Sequence, residues 1–399
     1  MALVPGLGGP AKELAFAILR GCAWVGKQVL GLARDIPVGP TGSSDTTADW
    51  IRVGLYLTLA AGVAAWGASG GRGFRDEARV RARLGLGLRY VLGSAMVVYG
   101  CMKMLPPIQF PAPSLAQLSQ PLGEASPQGL LWRFMGFSPV YAAGLGAGEV
   151  IAGVLLLYRR TALAGALLTA GIMAHVVLLN FTYDVPVKVY SGHLLLTALW
   201  LLWPERGRLT ALLLGRGAVA RVAEPGPALA PALRRWSAVG QAVVIAGIGW
   251  QAIGGQFANQ RDEAASYGAT PAELRGIWRV EEFGRAGTIV PPLATDHTRW
   301  HTVIFGDYRT VLVRRIDGGR AGFWFVRKDP ATGSYALEKP GAGGGPAPMT
   351  VIWQESDRLN LQVQLDGQAL EVALRRTDER AYPLLKRGFR WIIEKSDNR

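Results

Sequence analysis

Glu149, His175 and His193 stand out because each sits inside a long apolar stretch, where an ionisable side chain is costly and usually has a task. Glu149 lies near the middle of 140–158, His175 lies five residues before the end of 161–180, and His193 lies about six residues into 187–203. Lys103 closes the stretch 84–104, and Asn180, Tyr183, Asp184 and Lys188 crowd one short connection. A carboxylate and an imidazole can accept and donate protons, as a group exchanging protons and electrons with a quinol, or protonating a small oxyanion, requires. One reading is a polar pocket with Glu149, His175 and His193 as its catalytic groups. The other is a hydrogen-bonded cluster that fixes the helices. Helical spacing does not pair the two histidines with the carboxylate as metal ligands, and no metal is expected.

The run Thr41-Gly42-Ser43-Ser44-Asp45-Thr46-Thr47 is dense in hydroxyls and directly precedes an apolar stretch. Asp45, Thr46 or Thr47 can cap the helix that follows. A loop of this composition can also fold over a pocket and present Ser43, Asp45 and Thr46 to a ligand. Asp184, with Pro186 two residues on, reads as a helix start. His297 and His301 flank Trp300 and read as a strand-edge pair without a third ligand. There is no phosphate-binding lysine loop, dinucleotide fingerprint, G-x-S-x-G or H-E-x-x-H, and no haem or iron–sulfur ligation pattern. Electron transfer would therefore need a redox partner or a bound cofactor, a quinone among the candidates. Cys22 and Cys101 form no C-x-x-C and read either as buried thiols or as a bridged pair.

These residues need membrane helices to position them. Of the 399 residues, 50% are hydrophobic and 18% charged, against roughly 25% charged in ordinary globular chains. A span needs about 20 apolar residues. The stretches 50–69, 84–104, 140–158, 161–180, 187–203 and 237–255 qualify, and 13–33 is a weaker seventh because Arg20 and Lys27 interrupt it. Arg20 also splits the apolar run that a cleavable signal would need, so the first helix is expected to stay attached. Gly144, Gly148 and Ala152, with Ala60/Ala64 and Ala61/Ala65, are spaced for close helix packing.

Basic residues orient the bundle. Five arginines lie in 72–83, two at 159–160 and six in 206–235, whereas 105–139 holds one Arg and one Glu, and 181–186 only Asp184. This alternation follows the positive-inside rule and puts the C-terminal region outside the cytoplasm. Residues 1–255 carry 22 Lys+Arg against 11 Asp+Glu, and residues 256–399 carry 21 against 18. The excess positive charge thus lies in the membrane half, where loop bias accounts for it and nucleic acid does not.

From Gly276 the hydrophobic period becomes two. Strands are expected at 277–283, 301–306, 309–316, 321–327, 334–339, 349–355, 359–365 and 369–376, with turns at Asp317-Gly318-Gly319, 329–333, 340–348 and Asp366-Gly367. This predicts a membrane bundle of six or seven helices over 1–255, a linker at 256–275, and an antiparallel domain at 276–399. A barrel and a sandwich both fit the strand pattern. Gly276-Ile277-Trp278 with a late Arg387 or Arg390 is similar to the G-x-W plus Arg of lipocalin-like up-and-down barrels, in which the arginine packs over the tryptophan.

Several segments resemble the DoxX family of bacterial inner-membrane bundles: Tyr99-Gly100 with Lys103, Gln109-Phe110-Pro111, Leu131-Trp132 with Phe134-Met135-Gly136, Gly148-Glu149 and Arg159-Arg160-Thr161. The segment from Leu179 through Tyr183-Asp184-Val185-Pro186-Val187-Lys188 is the most specific. The loop 41–47 resembles T-G-S-G-D-T-T, with Ser44 in place of a glycine, and 387–399 is similar to the close of the longer members' extra domain. The resemblance implies a redox-associated membrane protein, since some members are linked to thiosulfate:quinone oxidoreductase or redox-stress complexes. The clan also includes vitamin K-dependent carboxylase-like bundles. No residue here singles out thiosulfate. The expectation is an outward-facing polar pocket for a quinone or similar ligand; the alternative is a non-catalytic scaffold or carrier whose barrel binds a lipid, an apolar ligand or a partner protein.

Overall fold

The computed structural model describes residues 9–33, 35–38, 43–69, 77–104, 109–215, 269–329, 334–339 and 346–386, with isolated positions between 243 and 254. Its contacts divide into two units: Met1–Ala112 with Ala125–Ala258, and Pro113–Glu124 with Asn259–Arg399.

The first unit is helical: α1 Gly9–Gln28, α2 Thr47–Ala68, α3 Glu77–Met104, α5 Pro127–Phe137, α6 Pro139–Leu157, α7 Ala162–Thr182, α8 Lys188–Leu202 and α9 Arg206–Leu213. Among the described residues, four helices are long and apolar enough to cross a membrane: Thr47–Ala68, Val80–Met104, Pro139–Leu157 and Ala162–Thr182. Two expected spans fall short of that class. The stretch 187–203 yields only the 15 residues of α8 before the chain tightens into a 3-10 turn at Trp203–Glu205. The weak stretch 13–33 becomes α1, a continuous helix whose apolar run is interrupted by Glu13, Arg20 and Lys27. The expected span 237–255 lies almost wholly outside the described residues.

The bundle is organised by an antiparallel crossing of α3 on α6, at glycines spaced seven apart on both helices. A Cβ placed on Gly100 would lie 2.5 Å from the Gly146 carbonyl oxygen, and one on Gly153 would lie 2.6 Å from that of Gly93. Such approach requires residues without side chains. These are not the small residues that sequence spacing singled out. Gly144 has nothing within 4 Å of its Cβ position, and Gly148 makes only an ordinary contact. Residues 54–66 of α2 are all exposed, so among the described residues Ala60, Ala61, Ala64 and Ala65 are not buried against a neighbour. Ala152 is buried, in a core with Leu92, Met96, Leu156, Met173 and Ala198. Periodicity along one helix does not say which face meets a partner. Cys22 and Cys101 are free thiols.

The second unit is a closed barrel. Strands β1 Gly276–Arg285, β3 Trp300–Phe305, β4 Thr310–Arg315, β5 Arg320–Asp329, β6 Ser334–Glu338, β7 Ala347–Glu355, β8 Arg358–Leu365 and β9 Gln368–Arg376 pair antiparallel in chain order, and β1 closes on β9. A two-residue strand, β2 Thr288–Ile289, hairpins onto the end of β1. Closure leaves no free edge on the eight-stranded ring. A bulge between Val280 and Glu282 bends β1, which lets it pair with β3 near its start and with β9 along its length. Asp366 and Gly367, both at positive φ, make the two-residue turn between β8 and β9.

Trp278, Phe283, Val303, Phe305, Val313, Met349 and Leu359 fill the interior, each leaving almost no surface to water. The guanidinium of Arg376 lies 5.5 Å from the centre of the Trp278 ring and donates to the Arg275 carbonyl. Arg376, at the end of β9, thus lies over the tryptophan ring; the expected Arg387 and Arg390 lie outside the described residues. The short helix α4 Leu115–Leu118 packs against Ile277 and Ile304 of this unit. Nearby, Glu124 bridges Arg314 at 2.9 Å and Arg320 at 3.0 Å. Nothing in the local sequence marks 113–124 as part of the barrel.

Candidate functional site

The α3/α6 crossing sets two charges side by side. The ammonium of Lys103 donates to Glu149 Oε1, with Lys103 9% and Glu149 4% exposed. A Cβ on Gly146 would lie 2.9 Å from Lys103 Cβ, so the close glycine approach puts the lysine stem on α6 beside the carboxylate. Among the described residues, Glu149 Oε2 has no hydrogen-bond partner. One oxygen is neutralised, and the other remains a buried acceptor. Tyr99, one turn before Lys103 on α3, stacks against Tyr190 of α8 with ring centres 5.8 Å apart.

The hydroxyl-rich loop and the Tyr183–Lys188 segment meet across 143 residues of sequence. Asp45 accepts from the backbone N–H groups of Lys188 and Val189, both at 2.8 Å, and so caps α8. The Ser44 N–H donates to the Pro186 carbonyl at 2.9 Å, and the Ser43 hydroxyl reaches the same oxygen at 3.4 Å. Thr46 caps α2 in a reciprocal box with Asp49. Asp49 in turn holds Arg52 at 2.7 Å. Capping thus occupies Asp45 and Thr46, each on a different helix.

Asp184 does not start a helix. It takes a left-handed conformation (φ 51°) just past α7, where the Val185 N–H returns to the Asn180 carbonyl, and so it stops that helix. Its side chain is exposed and binds Lys188 Nζ at 2.8 Å. Asn180 donates to Ser191 at 2.9 Å, a buried tie between α7 and α8. Tyr183 packs with Val185 and Val187 against Phe110, Leu131, Trp132 and Met135. Gly136 touches the Pro111 carbonyl so closely that no side chain fits there.

A groove of about 200 Å³ opens along α2 and α8, lined by Ser44, Arg52, Val53, Tyr56, Val189, Tyr190 and His193. Ser44 is 6% exposed, yet its hydroxyl has no partner among the described residues. His193 Nδ1 lies 2.6 Å from the Val189 carbonyl on its own helix. The structure therefore separates the three ionisable residues of the spans: Glu149 pairs with Lys103, His193 lines the groove, and His175 is exposed on α7. The sequence reading missed Ser44, Arg52, Tyr56 and Tyr190. The substitution of Ser44 for a motif glycine was the one available signal.

In the barrel, His297 does not pair with His301. It reaches Asp317 at 3.0 Å, while His301 Nδ1 lies 2.9 Å from the Thr302 hydroxyl. Burial, then the charges of Arg279, Arg314 and Arg299, push the His301 pKa down. The Asp317 carboxyl is held at about 2 by the Gly319 N–H, then by His297 and Arg315, with slight burial opposing them. These contacts lock the β4–β5 turn. No group of metal-binding side chains occurs among the described residues.

Apolar membrane-length helices joined to a closed antiparallel barrel define a multi-span membrane protein with a separate β domain. The chain is 32% identical over 137 residues to "Uncharacterized protein YwoB" of Bacillus subtilis (strain 168), a match covering 34% of this chain and 85% of YwoB. It belongs to the same family as YwoB. No family model matches it, and no solved structure matches it significantly.

Proposed function

We propose that this is a redox-associated, DoxX-type protein of a bacterial inner membrane whose α2/α8 groove faces outward and binds a quinone or a similar small ligand. The observation that carries the reading is the Ser44 hydroxyl, buried and unpartnered in the groove wall. A buried polar group without a partner is costly, and a ligand oxygen would satisfy it.

Size and charge support a neutral ring. A cavity of about 150 Å³ holds a benzene, so about 200 Å³ accommodates one substituted ring. Around the groove, Arg52 and Lys188 stand against Asp45, Asp49 and Asp184, a formal balance that does not favour an anionic headgroup. The exposed apolar face of α2 over 54–66 gives an isoprenoid tail a surface continuous with lipid. The DoxX assignment is supported by the meeting of the segments that carry the resemblance: the loop from Ser43 lies on Pro186–Val189, and Phe110, Leu131 and Met135 share a core with Val185. The outward orientation rests on the basic loops. Electrons would pass to a partner protein, and the buried Lys103–Glu149 pair offers a proton acceptor.

Titration of the full-length, detergent-solubilised protein with a short-chain benzoquinone tests the reading. Saturable binding that weakens about three- to tenfold in Ser44→Ala is expected, the worth of one hydrogen bond. Absence of binding, or binding indifferent to Ser44, would overturn it. A quinol-dependent reduction assay comparing wild type with Glu149→Gln then separates binding from proton transfer.

The second reading is a non-catalytic scaffold. The filled barrel interior favours docking of a partner over carriage of an apolar ligand inside the barrel. Native mass spectrometry of the whole protein, finding a lipid that survives delipidation of the bundle, would favour the carrier instead.

A further inference from the structure

We infer that His193 sets the redox-state preference of the groove: its Nε2 accepts a hydrogen bond from a ring hydroxyl, so the site favours a hydroquinone-type head over the corresponding quinone. This rests on the groove being a ligand site, as proposed above. The argument begins with a backbone carbonyl. The Val189 oxygen can only accept, so at 2.6 Å the hydrogen between it and the imidazole belongs to His193 Nδ1. A neutral imidazole carries a single ring hydrogen, which leaves Nε2 as a bare acceptor. Among the described residues Nε2 has no other hydrogen-bond partner, and the ring lines the groove.

The groups facing it can all donate. From α2 come the Arg52 guanidinium, which only donates, and the Tyr56 hydroxyl. Ser44 contributes its unpartnered hydroxyl, and Tyr190 precedes His193 on α8. Asp49 lies behind Arg52, and Asp45 is engaged with the α8 terminus and Lys188. A quinone presents two carbonyl acceptors, and one of them would meet the Nε2 lone pair. A hydroquinone donates to Nε2 through one hydroxyl while its oxygens still accept from Ser44 or Arg52.

The test is anaerobic titration of the full-length protein in detergent with a short-chain benzoquinone and, separately, its hydroquinone. The hydroquinone should bind roughly three- to tenfold more tightly than the quinone. His193→Phe should bind both forms with similar affinity, and so should His193→Gln, whose amide offers a donor as well as an acceptor; thermal unfolding checks that each variant is folded. If neither form binds the wild type, the ligand site and this inference both fall. If both forms bind wild type without discrimination, or His193→Phe still discriminates, the site stands and the role of His193 is overturned.

Discussion

Removing the Glu149 carboxylate while leaving Lys103 should destabilise the bundle by about 3–5 kcal/mol, the usual cost of stranding one member of a buried ion pair. The magnitude follows from the setting. Lys103 and Glu149 are both more than nine-tenths buried, and the glycine-lined crossing of α3 on α6 leaves the lysine no easy route to water. Glu149→Gln keeps the shape and removes the charge, and Lys103→Met removes the opposite one. Combining them should restore stability to within about 1–2 kcal/mol of wild type, because no uncompensated charge then remains. The assay is equilibrium unfolding of the full-length protein in mixed micelles titrated with sodium dodecyl sulfate, followed by tryptophan fluorescence. Single substitutions costing less than about 1 kcal/mol, or a double variant as unstable as the sum of the singles, would refute the reasoning. The double variant has a second use. Folded but without the carboxylate, it shows whether quinol-dependent activity needs Glu149 chemically or only structurally.

Gly100→Ala should cost about 1–3 kcal/mol by overpacking, since its Cβ would lie 2.5 Å from the Gly146 oxygen; Gly144→Ala, with open space around it, should stay within about 0.5 kcal/mol of wild type in the same unfolding assay. Asp45→Ala should cost about 0.5–2 kcal/mol by uncapping α8, with Asp45→Asn losing less because it retains one acceptor. In the barrel, the Asp317 pKa is lowered in the folded state from 3.8 to about 2, so its stabilising contribution is complete above about 3.8 and is lost as pH falls through about 2; acid unfolding followed by circular dichroism should show this dependence weakened in Asp317→Asn. Alkaline phosphatase fused after Arg399 should be active, and a cytoplasm-dependent fluorescent fusion there should be dark; the opposite pair of results would invert the orientation drawn from the basic loops.

Local repetition made the elements legible. Alternation with period two announced all eight strands of the closed ring, and the turn residues Asp317-Gly318-Gly319 and Asp366-Gly367 separated them correctly. Apolar runs announced the four membrane-length helices, because a helix in lipid must be apolar along its whole length. The cost of burying charge pointed to Glu149, and the hydroxyls before α2 pointed to capping. All of these signals lie within a window of about 20 residues. What the windows do not contain is the partner. Whether Glu149 would meet Lys103 or a histidine depended on which glycines of α3 and α6 touch, and those were Gly93, Gly100, Gly146 and Gly153 rather than the more conspicuous Gly144 and Gly148. Asp45 could have capped its own helix; only the approach of α8 turned it toward Lys188 and Val189. Arg376 lies over Trp278 because closure of β9 on β1 brings that position to the ring. Sequence by itself determined where the membrane-length helices and the strands run, but not the shorter helices α4, α5 and α9, since propensity and burial pattern act along the chain. Tertiary structure alone decided which polar groups are paired and which, like the Ser44 hydroxyl, are left for something else, because hydrogen bonds and ion pairs depend on distances between segments that no local pattern encodes.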